Sequence, residues 1–429
     1  MHRTVNAIVL LALVANCDRS SITTPARPPD PLDNALVQVR PTQISLADYC
    51  TPSNTVDDSA CIDAWLDAGR AAPEKQLYAP AGTYLYHTSR APYSKMSLKC
   101  AGSETIFKNN GGTGLFFSSS TALHDVAIEN CSFDVHGSTE NFLAVISINP
   151  TVVETSEHIR LRNNRFFDSA IAGSMSAQQR QYILIINCND CLVERNHLSE
   201  GGRIKVGQPG AHLIVRKNQV DRANDNAITV ADAGADVSRD IVVDSNVIVS
   251  PKGVGIFFGV DGDAQNDPAL TSRRITIADN RVTGDWLTSC ILGTLPNVAT
   301  DVTVYANRCE KTGTAGEFAT GISIRRTSAP QQAAHHVKIE NNTILASGAA
   351  ASGGGGVPAL DEGGIFVSGN YVRLNVNRNR VMHVGPRAIH FYSIDAQKSS
   401  VVHNIMAGGA LVIEGTVRGR VDPNQVSMP

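Results

Sequence analysis

One pattern recurs through most of this 429-residue chain: apolar, any, apolar, two polar, Asn, any, apolar. Ile159, Leu161, Asn164 and Phe166 mark one copy, and others centre on Asn196, Asn218, Asn246, Asn280, Asn307, Asn342, Asn379 and Asn404. Cys131 takes the Asn place in an earlier copy. Successive copies lie 22 to 37 residues apart, so a fixed core motif carries loops of varying length. That is the signature of a solenoid. In a parallel solenoid, equivalent residues stack about 4.8 Å apart. A buried Asn repeated at one turn can bond its copies above and below, and an unbroken stack satisfies every member. One Asn would read as a turn filler. Nine in a single register do not.

Each copy is followed by a variable loop and a second short apolar strand, as at residues 203–206, 227–230, 255–258, 321–324, 364–367 and 388–391. Alternation turns the Ile and Val of these strands inward. The outward positions form a column of Lys205, Thr229, Phe257, Ser323, Phe366 and His390. Long helical patterns are nearly absent after residue 71, which argues against a helical solenoid. The net charge of -3 gives no reason to expect a nucleic-acid partner.

The N-terminus reads as an export signal. A short polar start with His2 and Arg3 precedes an apolar run at 7–15, too short to span a bilayer. Asn16 and Cys17 end it in a form that resembles a bacterial lipobox, except that Asn16 stands where a small residue is usual. Lipidation of Cys17, giving a membrane anchor, and ordinary cleavage both stay open. Residues 1–17 are then a signal peptide and 18–40, rich in Pro, Ser and Thr, a disordered tether. The other eight of nine Cys suit an oxidising compartment. Cys50 and Cys61 can pair, and Cys188 with Cys191 forms a C-x-x-C in a turn, where a local disulfide or plain packing outweighs redox or zinc chemistry. The expected location is periplasm, outer membrane or extracellular space.

Asp57 or Asp58 can cap a helix whose apolar face holds Ile62, Trp65 and Leu66, and Pro73 stops it. A strand at 76–78 and the turn Pro80, Ala81, Gly82 follow. This segment resembles the N-terminal entry of the pectate-lyase-like superfamily, in which a D-D-x-x-A-I helix covers the open end of the solenoid. The resemblance spans about 30 residues and implies an all-β fold: a single-stranded right-handed parallel β-helix of about ten coils with an N-terminal capping helix. The expected divisions are a cap at 41–95, the β-helix at 96–420 and a C-terminal tail at 421–429.

The resemblance also implies a polysaccharide cleft along the outward column. Arg203, Lys205, Arg222, Lys252, Arg325, Arg326, Arg387 and His390 lie on these strands or beside them, a basic lining suited to a carboxylate-bearing glycan. Coil spacing divides the candidates in two. A central cluster joins Arg203, Lys205, Arg222, Asp225, Asp232, Lys252, Asp261 and Asp263. A second joins Arg325, Arg326, Asp361, Glu362, His390 and Tyr392. Lys205 and Arg325 are four coils apart, about 19 Å, so they cannot share one reacting centre.

β-Elimination on a uronate needs a cation or metal on the carboxylate, a base for the C5 proton and a donor for the leaving oxygen. The central cluster offers Lys205 as base and Arg222 or Lys252 on the carboxylate. Asp225, Asp261 and Asp263 are candidate ligands of Ca²⁺. Arg203, Phe257, Arg325 and Arg326 would bind substrate, and His390 with Tyr392 is the alternative base pair. Each of these side chains also has a plain reading as a solvated turn or surface residue. Hydrolysis is the competing chemistry, with Asp225, Asp261 and Asp263 as carboxylates. Arg203, Ile204 and Lys205 resemble the R-I-K of polygalacturonases, but the N-T-D, D-D and G-H-G signatures are missing. No D-P-H-D supports a mannuronan epimerase. A non-catalytic glycan-binding or structural rod is the third reading. The Gly-rich loop at 345–362 is a lid over the groove or a tolerated insertion.

Overall fold

A computed structural model describes residues 42–429, apart from 140–143, 151–153, 175, 177–179, 208–209, 233–236, 261–270, 297, 313–319, 327–332, 347–362, 383–386, 423 and 428–429. The N-terminal segment and the loop at 345–362 therefore fall largely outside the described residues, as do Asp261, Asp263, Asp361 and Glu362.

Strands pair in parallel with their equivalents in the next coil, and three faces result. One coil shows the plan. Gly202–Gly207 lies on the first face, Ala211–Arg216 on the second and Gln219–Asp221 on the third. The chain then returns to the first face, where Ile228–Asp232 pairs beside Gly202–Gly207. Toward the C-terminus the first two faces run on as single bent strands, Ile365–Asn377, Arg387–Val402 and Ala410–Val421. The third face has thirteen strands among the described residues, more than the roughly ten coils expected. The surplus comes from early coils that lack the ladder Asn and from Gln425–Ser427, which pairs with Ile405–Ala407 in what was expected to be a tail. The cap boundary at 95 also moves, because Gln43–Ser45 and Gln76–Ala79 already belong to the second-face stack.

The capping helix runs Ser59–Ala71 and buries Ile62, Trp65 and Leu66. Asp57 accepts from the Ser59 backbone N–H at 3.2 Å, while Asp58 turns to accept from Leu85 N–H at 2.9 Å. One aspartate steadies the helix start and the other ties it to the first coil.

The Asn ladder is continuous. Asn218 Nδ2 donates to the Asn246 Oδ1 at 3.0 Å and to the Val193 carbonyl of the preceding coil at 2.9 Å. The Asn218 backbone N–H donates to the same Asn246 oxygen at 2.9 Å. The pattern repeats from Asn164 to Asn404, which donates to Asn424, an additional rung at 3.0 Å. Cys131 begins the series: its N–H donates to Asn164 Oδ1, and its sulfur is bonded to Cys100 one coil earlier. The residue before each rung turns left-handed, with φ between 53° and 62° from Asn130 to His403. That local cost is offset by the turn it makes from the second face to the third.

Inside the third face, Tyr84, Phe107, Phe133 and Phe166 stack coil on coil with centroids 5.2 to 5.8 Å apart. Later coils fill the same column with Leu198, Val220, Ile248 and Val282. All eight described Cys are disulfide-bonded: Cys50–Cys61, Cys100–Cys131, Cys188–Cys191 and Cys290–Cys309.

A second left-handed column opens each second-face strand. Its members alternate in charge: Lys95, Asp125, His158, Asp190, His212, Asp240, Arg274 and Asp301. His158 meets Asp125 at 3.0 Å, His212 meets Asp190 at 3.1 Å and Asp240 at 3.3 Å, and Arg274 meets Asp240 at 2.7 Å. The Arg274 hydrogen bond holds the Asp240 carboxyl below its ordinary range. Asp, Asn and His tolerate this backbone conformation best among side-chain-bearing residues, which explains much of the composition.

Candidate functional site

The first-face register aligns Lys205, Thr229, Phe257, Leu292, Ser323, Phe366, His390 and Val412 in one outward column. Leu292, on Ser289–Leu295, is a rung that pattern reading missed, because its strand lacks the Gly-Ile or Ala-Ile start. Two residues on, a second outward column carries Thr294, Arg325, Ser368, Tyr392 and Glu414.

The column is not the open trough expected of it. Thr229, Phe257, Leu292, Ser323, Phe366 and His390 are all buried, and Lys205 is half-buried. Phe257 packs with Val254 and Leu292 in a small apolar cluster outside the main core, so its ring faces those side chains rather than water.

In the central cluster the cations are largely held by carboxylates. Arg203, buried, is ion-paired with Asp225. Arg222 donates to Glu200 at 2.9 Å, a carboxylate that sequence reading overlooked. Glu200 also accepts from Ser199 and caps the Gly173 N–H at 3.3 Å. One coil earlier Arg180 donates to Asp168 at 2.6 Å, both fully buried. Lys205 and Lys252 make no side-chain hydrogen bond or ion pair among the described residues; Lys252 is exposed. Lys205 therefore lies two residues along the strand from a closed Arg203–Asp225 pair, and Arg222 is turned to Glu200. Among the described residues no group of three or more His, Cys, Asp or Glu side chains could hold a metal.

The distal cluster converges more closely. Phe366 is edge-on to His390 at 5.4 Å between centroids and stacked with Tyr392 at 6.3 Å. The Arg325 guanidinium lies 5.9 Å over the Phe366 ring, and its Nε donates to Ser323 at 3.0 Å. His390 Nε2 is 3.0 Å from Glu414 Oε1. Its Nδ1 is buried with no hydrogen-bond partner among the described residues. Leaving such a group unsatisfied costs about 1–3 kcal/mol. Arg326 does not join: it is buried at the corner and donates to the Asn370 carbonyl at 2.8 Å. Glu414 was missed from sequence. Its signal was present, since residues 410–414 repeat the alternation of 388–392 one coil on. An imidazole held at one nitrogen by a carboxylate, beside a phenol, a guanidinium and an aromatic face, can move a proton next to a bound anion.

This architecture is the right-handed parallel β-helix, the class to which solved structures of the same shape belong. No protein-family model matches the chain, and no curated protein sequence matches it. Among solved structures it is similar to the A-module of a mannuronan C-5 epimerase of Azotobacter vinelandii, at 15% identity and TM-score 0.61, covering 90% of this chain and 99% of that one. It is also similar to PfbA, a surface adhesin of Streptococcus pneumoniae, at 13% identity and TM-score 0.60, over 86% of this chain and 91% of the other. A family 28 exopolygalacturonase of Yersinia enterocolitica aligns at 13% identity and TM-score 0.54, over 88% and 79%. At these identities the likeness is one of fold.

Proposed function

We propose that this chain is an exported polysaccharide lyase that cleaves a uronate-containing glycan by β-elimination, with the distal cluster as its reacting centre. The observation that carries the reading is the gathering of Arg325, Phe366, His390, Tyr392 and Glu414 on consecutive coils of one face. Arg325 neutralises the uronate carboxylate, which acidifies the C5 proton. His390, held by Glu414, removes that proton, the C4–O bond breaks, and Tyr392 protonates the departing oxygen. Phe366, buried between them, holds Arg325 and Tyr392 in place. The names of two structures with this fold, a mannuronan epimerase and an exopolygalacturonase, support uronate polymers as the substrate class. Lys205 and Arg203 lie about six rungs, roughly 29 Å, from His390, and Lys252 about four rungs, roughly 19 Å; they serve this reading as a distant part of the binding surface. Ca²⁺ on Asp225, Asp261 and Asp263 belongs to the proposal as an aid to binding there. Four disulfides support export, with Cys17 lipidated or lost with the signal peptide.

The test is a panel of alginate, pectate, glucuronan and bacterial exopolysaccharides. Unsaturated products absorbing at about 235 nm are expected from the elimination chemistry. New reducing ends without that absorbance would make the protein a glycoside hydrolase. Binding without any product would make it a glycan-binding rod. Activity unaffected by chelation removes Ca²⁺ from the proposal.

A further inference from the structure

The alternating column on the second face breaks at its C-terminal end. From Lys95 to Asp301 each basic member is flanked by Asp. After Asp301 come His336, Arg373 and Lys398, three bases in succession on adjacent coils, all in the same left-handed conformation. His336 still meets Asp301 at 3.1 Å, but its other ring nitrogen accepts from Arg373 at 2.9 Å. Exposed His335 and Arg418 lie one position before this column, and exposed Lys338 two positions after it. Among described neighbours, Asp395 stands three residues before Lys398, and Asp422 is occupied by Arg420.

Like charges facing each other on adjacent strands destabilise a sheet. Eight coils of the same column avoid that arrangement, and Asp fits the backbone at four of its positions, with φ of 53° to 59°. The basic run is therefore a local departure from a pattern the fold tolerates readily. We infer that His335, His336, Lys338, Arg373, Lys398 and Arg418 form a second binding surface, on a face separate from the first-face cluster, for a carboxylate-bearing or sulfated polysaccharide strand. The surface is flat strand backbone with one cation about every 4.8 Å along the axis, a geometry for an extended polyanion and not for a small enclosed anion. It shares with the proposed function only the class of polymer, and it does not require that the first-face cluster be catalytic.

The experiment uses the full mature chain carrying His390→Ala, so that turnover does not consume the probe. Binding of polygalacturonate and of alginate is measured by calorimetry at low and high salt, with and without Arg373→Asp. This substitution restores the alternation. At least a tenfold weaker affinity for one of the polymers, a smaller salt dependence and a melting temperature at or above that of the parent are expected. Unchanged affinity for both polymers overturns the inference. So does binding to phosphatidylglycerol vesicles with none to either polymer. Should the Asp variant melt early, Arg373→Gln with Lys398→Gln is read instead, and unchanged affinity there overturns it equally.

Discussion

The central and distal clusters share one face and one pair of columns, yet they treat charge in opposite ways. Around residues 200–225, arginines are matched with carboxylates: buried Arg203 with Asp225, half-buried Arg222 with Glu200 and, a coil earlier, buried Arg180 with Asp168. Such pairs fix corners, and they leave little unspent charge for a ligand. Around residues 323–414, the rings of Phe366, His390 and Tyr392 gather beside Arg325, and the buried imidazole meets Glu414 through one nitrogen. A basic residue near a groove is therefore a poor guide to chemistry until its partner is known.

The largest expected effect separates the two clusters directly. His390→Ala should lower turnover by about 10²- to 10⁴-fold, the usual range for a positioned base. Lys205→Ala should leave turnover nearly unchanged. Initial rates together with melting curves check this, and equal losses in both variants would erase the distinction. Asn280→Ala probes what joins the clusters, since its rung lies between them. It removes the acceptor of Asn246 and the donor to the Val243 carbonyl, at a cost of at least about 3 kcal/mol in denaturant unfolding. The two clusters should still melt in one transition. Arg203→Ala should destabilise by about 1–3 kcal/mol, reduced from the fully buried case because Asp225 is partly exposed, with activity per folded molecule retained.

The smallest effect is one of pH. Burial pushes Glu194 up, but Arg216, Arg162 and Arg195 outweigh it and hold the carboxyl below its ordinary value of 4.5. A lowered folded pKa means stability that is present above pH 4.5 and lost as pH falls through the folded value. Glu194→Gln should therefore flatten the acid side of the stability profile below pH 4.5. An unchanged acid limb would show that the three arginines do not set it.

The solenoid was legible because its period is written in Asn and in alternating Ile and Val, both local signals. The outward column from Lys205 to His390 followed from the same register. Leu292 and Glu414 escaped because their strands depart from the Gly-Ile or Ala-Ile opening. The pairing of Arg203, Arg222 and Arg326 was not legible, since it depends on left-handed corners such as Arg222 that redirect a side chain by one turn. The open groove was what the resemblance implied for the outward column, and alternation says which way a residue points but not what lies over it.

The Asn ladder has a chemical consequence besides its mechanical one. Proteins age, and exposed Asn is among the first residues to fail, through attack of the following backbone nitrogen on the side-chain amide. In the ladder that nitrogen is already committed. Gln219 N–H donates to the Asn196 carbonyl, Arg281 N–H to Asn246 and Arg308 N–H to Asn280, each at 2.8 Å. The residues that define the rod are thus also those best shielded from its slow decay.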